Sequence, residues 1–238
     1  MRVQRTGVLE RLILGLTLMF SSMCVACSND VVHQGLDQSN NTKPASLDAR
    51  GAVANINGNA CGEIQQGTGF VVGAHILLTD AHVIHGETHP SIIIDSHVLV
   101  GTPIYYNTSL DLALLRTSVT FPQPLRLAEA LYQRGVRGTI LGFPYNHPLT
   151  ETSGTILGLQ SEHLTGESRR TYRLDAKIGP GNSGSPFIVK GGRVAGIVFA
   201  FVPGTAITYA MPSLTLRTVV RKEGDTTARV STGSCDRQ

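Results

Sequence analysis

The feature that most constrains this chain is a succession of short strand-like runs punctuated by turn residues, with no long amphipathic helix between them. The first set of runs comprises 52–57, 68–73, 75–79, 91–95, 97–102 and 112–116. The second comprises 136–143, 153–159, 171–174, 186–189, 193–201 and 205–211. Between them, 121–134 carries Pro122, Pro124 and a short helix-prone stretch, and it reads as a connector. Residues 212–220 have a weak helical period, which allows a short C-terminal helix. Two strand clusters split by a connector predict an all-β chain of two small antiparallel barrels packed together. The 238 residues suffice for that and leave no room for a further domain. The expected division is an N-terminal barrel over 49–130 and a C-terminal barrel over 131–238.

Residues 1–26 have the order of an export signal. Arg2, Arg5 and Arg11 give a positive region, Leu12–Phe20 an apolar run, and Ser21-Ser22 the start of small residues. The run falls short of the ~20 residues of a membrane span, so an uncleaved anchor is the weaker alternative. Cys24-Val25-Ala26-Cys27 resembles a bacterial lipoprotein box, with Cys24 where Leu is usual. Cleavage before Cys27 would leave it available for lipidation. Residues 27–48 are polar and lack aromatics, as a flexible tether does. With Cys24 removed and Cys27 lipidated, Cys61 and Cys235 remain as a pair, and an oxidising compartment would join them. Closing so long a loop stabilises by about 4–5 kcal/mol in the chain-entropy model. Two free thiols are the other possibility.

Loss of the leader removes three positive charges and one negative, taking the net charge from +3 to +1. A near-neutral body offers no electrostatic case for nucleic acid as a partner.

Three segments carry chemistry. Gly179–Pro186 reads GPGNSGSP, in which Gly181 and Gly184 permit the tight turn that an activated Ser183 and its oxyanion donors need. Taken alone, this is equally a Gly/Ser/Pro surface turn. Thr79-Asp80-Ala81-His82-Val83 follows an apolar strand whose end would hold His82 as a general base. Asp111 heads the run DLALL and could orient the imidazole, or merely cap the turn after Thr108-Ser109. The order is the stronger signal: His, Asp, Ser differs from the orders used on subtilisin-like and α/β-hydrolase folds. His82 and Asp111 fall in the first strand cluster and Ser183 in the second, which predicts a site in the cleft between barrels.

The blocks TDAHV, DLALL and GNSGSP, with GTGFVV and ITYAMP, resemble the trypsin/chymotrypsin superfamily and its bacterial trypsin-like branch. The likeness extends to the mycobacterial-type periplasmic proteases linked to acid resistance, although their multi-helix membrane region is missing. It implies two six-stranded chymotrypsin-like barrels and an exported serine endopeptidase working through an acyl-enzyme, with no metal or cofactor. Ser183 would be the nucleophile, His82 the base and acid, and Asp111 the orienting carboxylate. The N–H groups of Gly181 and Ser183 would form the oxyanion hole. Flanking cysteines joined as Cys61–Cys235 would also fit. Phe199, Ala200 and Phe201 would form the strand edge that pairs with protein or peptide substrate. Lys177, where a basic-specific enzyme has Asp, turns preference from Lys and Arg toward small or apolar residues. Ile207 and Tyr209 would line the pocket, although barrel core is the competing reading for the apolar residues. Ser185 stands where Gly is usual. Asn182 replaces the Asp that pairs with a cut N-terminus in zymogen-activated members, so no such cut is expected.

Two rival functions remain. His75, His82, His85, His89 and His97 cluster in sequence, but without the spacing of a helical zinc motif. The chain could also be an inactive protease-like binding module at the bacterial cell envelope, held to the membrane through the lipid on Cys27.

Overall fold

The computed structural model describes residues 49–164 and 167–235, so the expected leader and tether, with Cys27, lie outside the described residues. The first sheet contains β1 (Val53–Ala60), β2 (Glu63–Gly73), β3 (Ile76–Thr79), β4 (Ser91–Ile94), β5 (His97–Val100), β6 (Thr102–Asn107) and β7 (Leu112–Arg116). Its order is β5-β4-β1-β2-β3-β7-β6. Only Gly101 separates β5 from β6, so the two edges are halves of one bent strand: β5 pairs with β4, and β6 pairs with β7. The sheet thus closes covalently and counts as six strands.

The second sheet contains β8 (Arg126–Leu127), β9 (Arg137–Gly142), β10 (Thr150–Leu164), β11 (Glu167–Asp175), β12 (Ser185–Val189), β13 (Arg193–Phe201) and β14 (Ile207–Pro212). Pairing of β12 with β13 closes β9 to β14 into a six-stranded ring, onto which β8 adds in parallel beside β13. The second sheet therefore begins inside the connector, at Arg126 rather than at residue 131. No helix forms in 121–134: Arg126–Leu127 pairs with β13 and the Ala128 N–H donates to Val194, which holds the main chain extended there.

Alternation along the strands sorts their side chains into three apolar layers. Leu77, Ala113 and Leu115 point into the first barrel with Ile56, Ile84 and Ile92. Their neighbours Ile76, Leu78, Leu112 and Leu114 point the other way and meet Leu141, Ile188 and Ile197 between the barrels. Strands buried on both faces explain why ILLT and LALL read as unbroken apolar runs. The second barrel is filled by Ile140, Ile156, Tyr172, Leu174 and Phe187.

Helix α1 (Ser213–Glu223) seals the layer between the barrels with Leu216 and Val219. The chain then returns over the first barrel. Arg116 holds the carbonyls of Gly224 and Thr226 at 2.7 and 3.0 Å. Val230 donates to Pro103, Gly86 donates to Thr232, and the Thr232 hydroxyl donates to Glu87. The strap ends in a disulfide between Cys235 and Cys61.

Candidate active site

His82 lies on a single 3₁₀ turn, Ala81–Ile84, directly after β3, with Val83 and Ile84 buried beneath it. Its ring nitrogen Nδ1 contacts both oxygens of Asp111, at 2.8 and 3.0 Å. The His82 main-chain N–H also donates to Asp111 Oδ1 at 3.0 Å. Asp111 achieves this from a left-handed conformation (φ 53°), which Asp tolerates better than most residues. Its own N–H closes on Thr108, so it ends a turn and orients the imidazole at once. The Asp111 charge and, before it, burial raise the Tyr106 phenol above its usual 10.0. Asp80 is fully buried beside the pair, and one ligand-type atom from each of Asp80, His82 and Asp111 lies within 4.8 Å of the others. By distance these three could hold a cation, but contact of one imidazole nitrogen with both Asp111 oxygens is the geometry of a shared N–H donor.

Ser183 enters from the second barrel. Its carbonyl accepts the Thr68 N–H at 2.7 Å. Gly67 is the point of contact with the histidine turn: a β-carbon there would lie 2.5 Å from Val83 and 3.0 Å from the Ser183 oxygen. Among the described residues the Ser183 hydroxyl makes no hydrogen bond with His82. Such bonds are often long before substrate binds.

The loop before Ser183 is held in a definite pose. Asn182, Gly184 and Ser185 donate their N–H groups to Gly179, Val198 and Asn182. Among the described residues the N–H groups of Gly181 and Ser183 donate to no protein acceptor, which leaves two donors free. Tyr145 N–H donates to the Pro180 carbonyl at 2.7 Å. Across that trans peptide, the Gly181 N–H points the opposite way. Tyr145 and Asn146 both have positive φ (54° and 59°), a strain that places the Tyr145 ring over Gly179. The buried Asn182 amide donates to Gly179, so this neutral side chain is satisfied locally.

Thr68 is the hub that the sequence did not single out. Fully buried, it donates its hydroxyl to Gly181 at 2.7 Å and accepts Phe143 N–H at 3.1 Å. Its carbonyl accepts the Thr79 hydroxyl at 2.7 Å, three residues before His82. A Thr between two glycines in an apolar strand was the available signal. Gly184 (φ 85°) packs so closely on Thr68 that a β-carbon would lie 1.8 Å from its carbonyl.

The remaining expected residues are more dispersed. Phe199, Ala200 and Phe201 end β13, where Ala200 and Phe201 pair with Tyr209 and Thr208. Their other edge has no strand partner among the described residues. Phe199 bulges there, and its ring lies 6.5 Å from that of Tyr209. These residues and Ile207 are half-buried, whereas Lys177 is exposed. Ser185 is fully buried, away from solvent. His75, His85, His89 and His97 bind separate partners: Val119, Tyr106 with Ser234, Arg229, and Asp95.

Two six-stranded barrels, with a His–Asp pair on one and a serine in a donor-rich turn on the other, define a chymotrypsin-like protease architecture. The family model for the trypsin-like peptidase domain matches residues 67–197, just over half of the chain. The chain belongs to the trypsin-like peptidase family. It is 28% identical over 183 residues to serine protease Rv3671c of Mycobacterium tuberculosis, covering 74% of this chain and 46% of that one. The crystal structure of the active form of the Rv3671c protease superposes with a TM-score of 0.75 at 26% identity, covering 81% of this chain and 88% of that chain. A Chlamydia trachomatis protein named "Probable periplasmic serine endoprotease DegP-like" is 29% identical over 159 residues, covering 64% of this chain and 31% of its own length. The chain thus spans less than half the length of these curated relatives.

Proposed function

We propose that the protein is an exported serine endopeptidase that hydrolyses peptide bonds through an acyl-enzyme. The observation that carries this is the Asp111–His82 pair, beside a serine whose loop leaves the Gly181 and Ser183 donors open. Asp111 fixes the imidazole with its proton on Nδ1, so Nε2 is free to take the Ser183 hydroxyl proton as Oγ attacks the carbonyl carbon. The oxyanion that forms is stabilised by the Gly181 and Ser183 N–H groups. Protonated His82 then gives its proton to the leaving amine, and water repeats the sequence on the ester. Extended substrate adds to the open edge at Phe199–Phe201 through main-chain hydrogen bonds. Ile207 and Tyr209 contact the side chain before the cut, and Lys177 disfavours a basic one.

A disulfide between Cys61 and Cys235 supports an oxidising compartment, hence export. Cleavage before Cys27 and its lipidation would place the enzyme in the bacterial cell envelope, on a membrane. The alternative, a catalytically silent binding module, draws on the lack of a Ser183–His82 hydrogen bond. Peptide hydrolysis by the purified protein that is lost in Ser183→Ala supports the protease. Hydrolysis that survives the substitution refutes it.

A further inference from the structure

A cleft of about 910 Å³ opens between the connector and α1, and none of the triad or loop residues above lines it. Four arginines do: Arg126, Arg193, Arg217 and Arg221, against Glu129. The chain spends stability to gather them. Arg126 and Arg193 are register partners in the parallel pairing of β8 with β13. Arg217 and Arg221 stand one turn apart on α1. Like charges opposed across strands or at i,i+4 on a helix repel. In a chain whose body is near neutral, this gathers four exposed or half-exposed arginines around one cleft.

Glu129 shows what the cleft accepts. Its carboxylate lies 3.7 Å from Arg193 and 3.5 Å from Arg217, bridging strand and helix. Arg126 and Arg221 form no ion pair among the described residues, so two guanidinium forks remain for a further anion. Leu125, Leu127, Leu214 and Val220 line the same cleft. An apolar wall beside planar bidentate donors suits a phosphate group carrying a hydrocarbon tail.

We propose that this cleft binds a phosphate-bearing amphiphile, with the phosphate on Arg126 and Arg221 and the tail along Leu125 and Val220. The shared chemistry is the phosphate anion, which a lipid headgroup or free phosphate could supply. The test is thermal unfolding of the purified full chain, titrated at constant ionic strength against chloride. The probes are inorganic phosphate, monomeric dihexanoyl phosphatidylglycerol, its phosphatidylcholine counterpart and hexaglutamate. Phosphate should raise Tm saturably, and the short phosphatidylglycerol should do so at no more than a tenth of the concentration. R126Q/R221Q should bind at least tenfold more weakly yet unfold no earlier than wild type without ligand, because repulsion is relieved. A purely structural role for the arginines would instead lower Tm. R126Q alone serves if the double variant misfolds. The proposal is overturned if phosphate acts no better than chloride, if the variant binds normally, or if hexaglutamate binds tightest. Equal potency of phosphate and phosphatidylglycerol overturns the amphiphile and assigns free phosphate. Because the readout is stability, the result is independent of protease activity.

Discussion

Replacing Thr68 by Val keeps the shape of the side chain and removes one oxygen. That oxygen donates to the Gly181 carbonyl at 2.7 Å and accepts the Phe143 N–H at 3.1 Å, in a site with no solvent exposure. The buried Gly181 carbonyl and the partly buried Phe143 N–H lose their partner, and each such loss costs about 1–3 kcal/mol. We expect Thr68→Val to lower stability by about 2–6 kcal/mol on that basis. The main-chain bonds to Ser183 and from Thr79 survive, so the fold should persist. The damage should concentrate in the Gly181 turn. Loss of a complete oxyanion donor slows catalysis by about 10²–10³-fold, and a loosened one should cost roughly 10–100-fold in kcat with KM little changed. The chain has no Trp, so urea unfolding is best followed by far-UV circular dichroism, with kinetics on a peptide substrate alongside. Thr68→Ser restores the hydroxyl and should recover most of kcat. If Thr68→Val unfolds within about 0.5 kcal/mol of wild type and keeps full kcat, the hub argument fails.

The other expectations follow from single contacts. Gly184→Ala forces a β-carbon into the Thr68 carbonyl at a φ of 85°, so activity in the soluble fraction should fall at least tenfold. Unchanged turnover would show that the turn has slack. Cys61→Ala with Cys235→Ala reopens a 174-residue separation and should lower stability by about 5 kcal/mol, read from urea midpoints. A midpoint that does not move would mean the strap holds without it. Burial, more than any neighbour, raises the Tyr172 phenol above 10.0. A raised folded value means that its contribution is intact below pH 10 and is lost as pH climbs through that value. Stability should therefore decline above pH 10. Tyr172→Phe should flatten that decline while losing about 1 kcal/mol from the bond to the Tyr132 N–H.

The strand pattern was legible because side-chain period is local: ILLT and LALL each face two apolar layers, and continuous apolar character is the direct consequence. The meeting of His82 with Asp111 could be expected from block order alone, although 29 residues separate them. Closure was not legible. Nothing in the sequence says that Gly101 bends one strand into two partners, or that Arg126–Leu127 leaves a proline-bearing connector to extend the second sheet. The return of residues 224–235 over the first barrel rests on bonds to main-chain carbonyls, which leave no periodic signature. Cys235 alone hinted at it. The left-handed pair Tyr145–Asn146 was hidden for another reason: Asn accepts that conformation readily, but Tyr does so only because the Pro180 carbonyl and Gly179 hold it. Thr68 was missed because its hydrogen bonds reach 75 and 113 residues along the chain.

The most direct test of the catalytic assignment is labelling with an active-site serine phosphonate, followed by mass mapping of the adduct. The chain should gain one phosphonyl group, on Ser183 and not on Ser185. The adduct should be absent in Ser183→Ala and form at least 100-fold more slowly in His82→Ala. A folded chain that takes no label, or takes it equally without His82, would contradict a His82–Asp111–Ser183 triad.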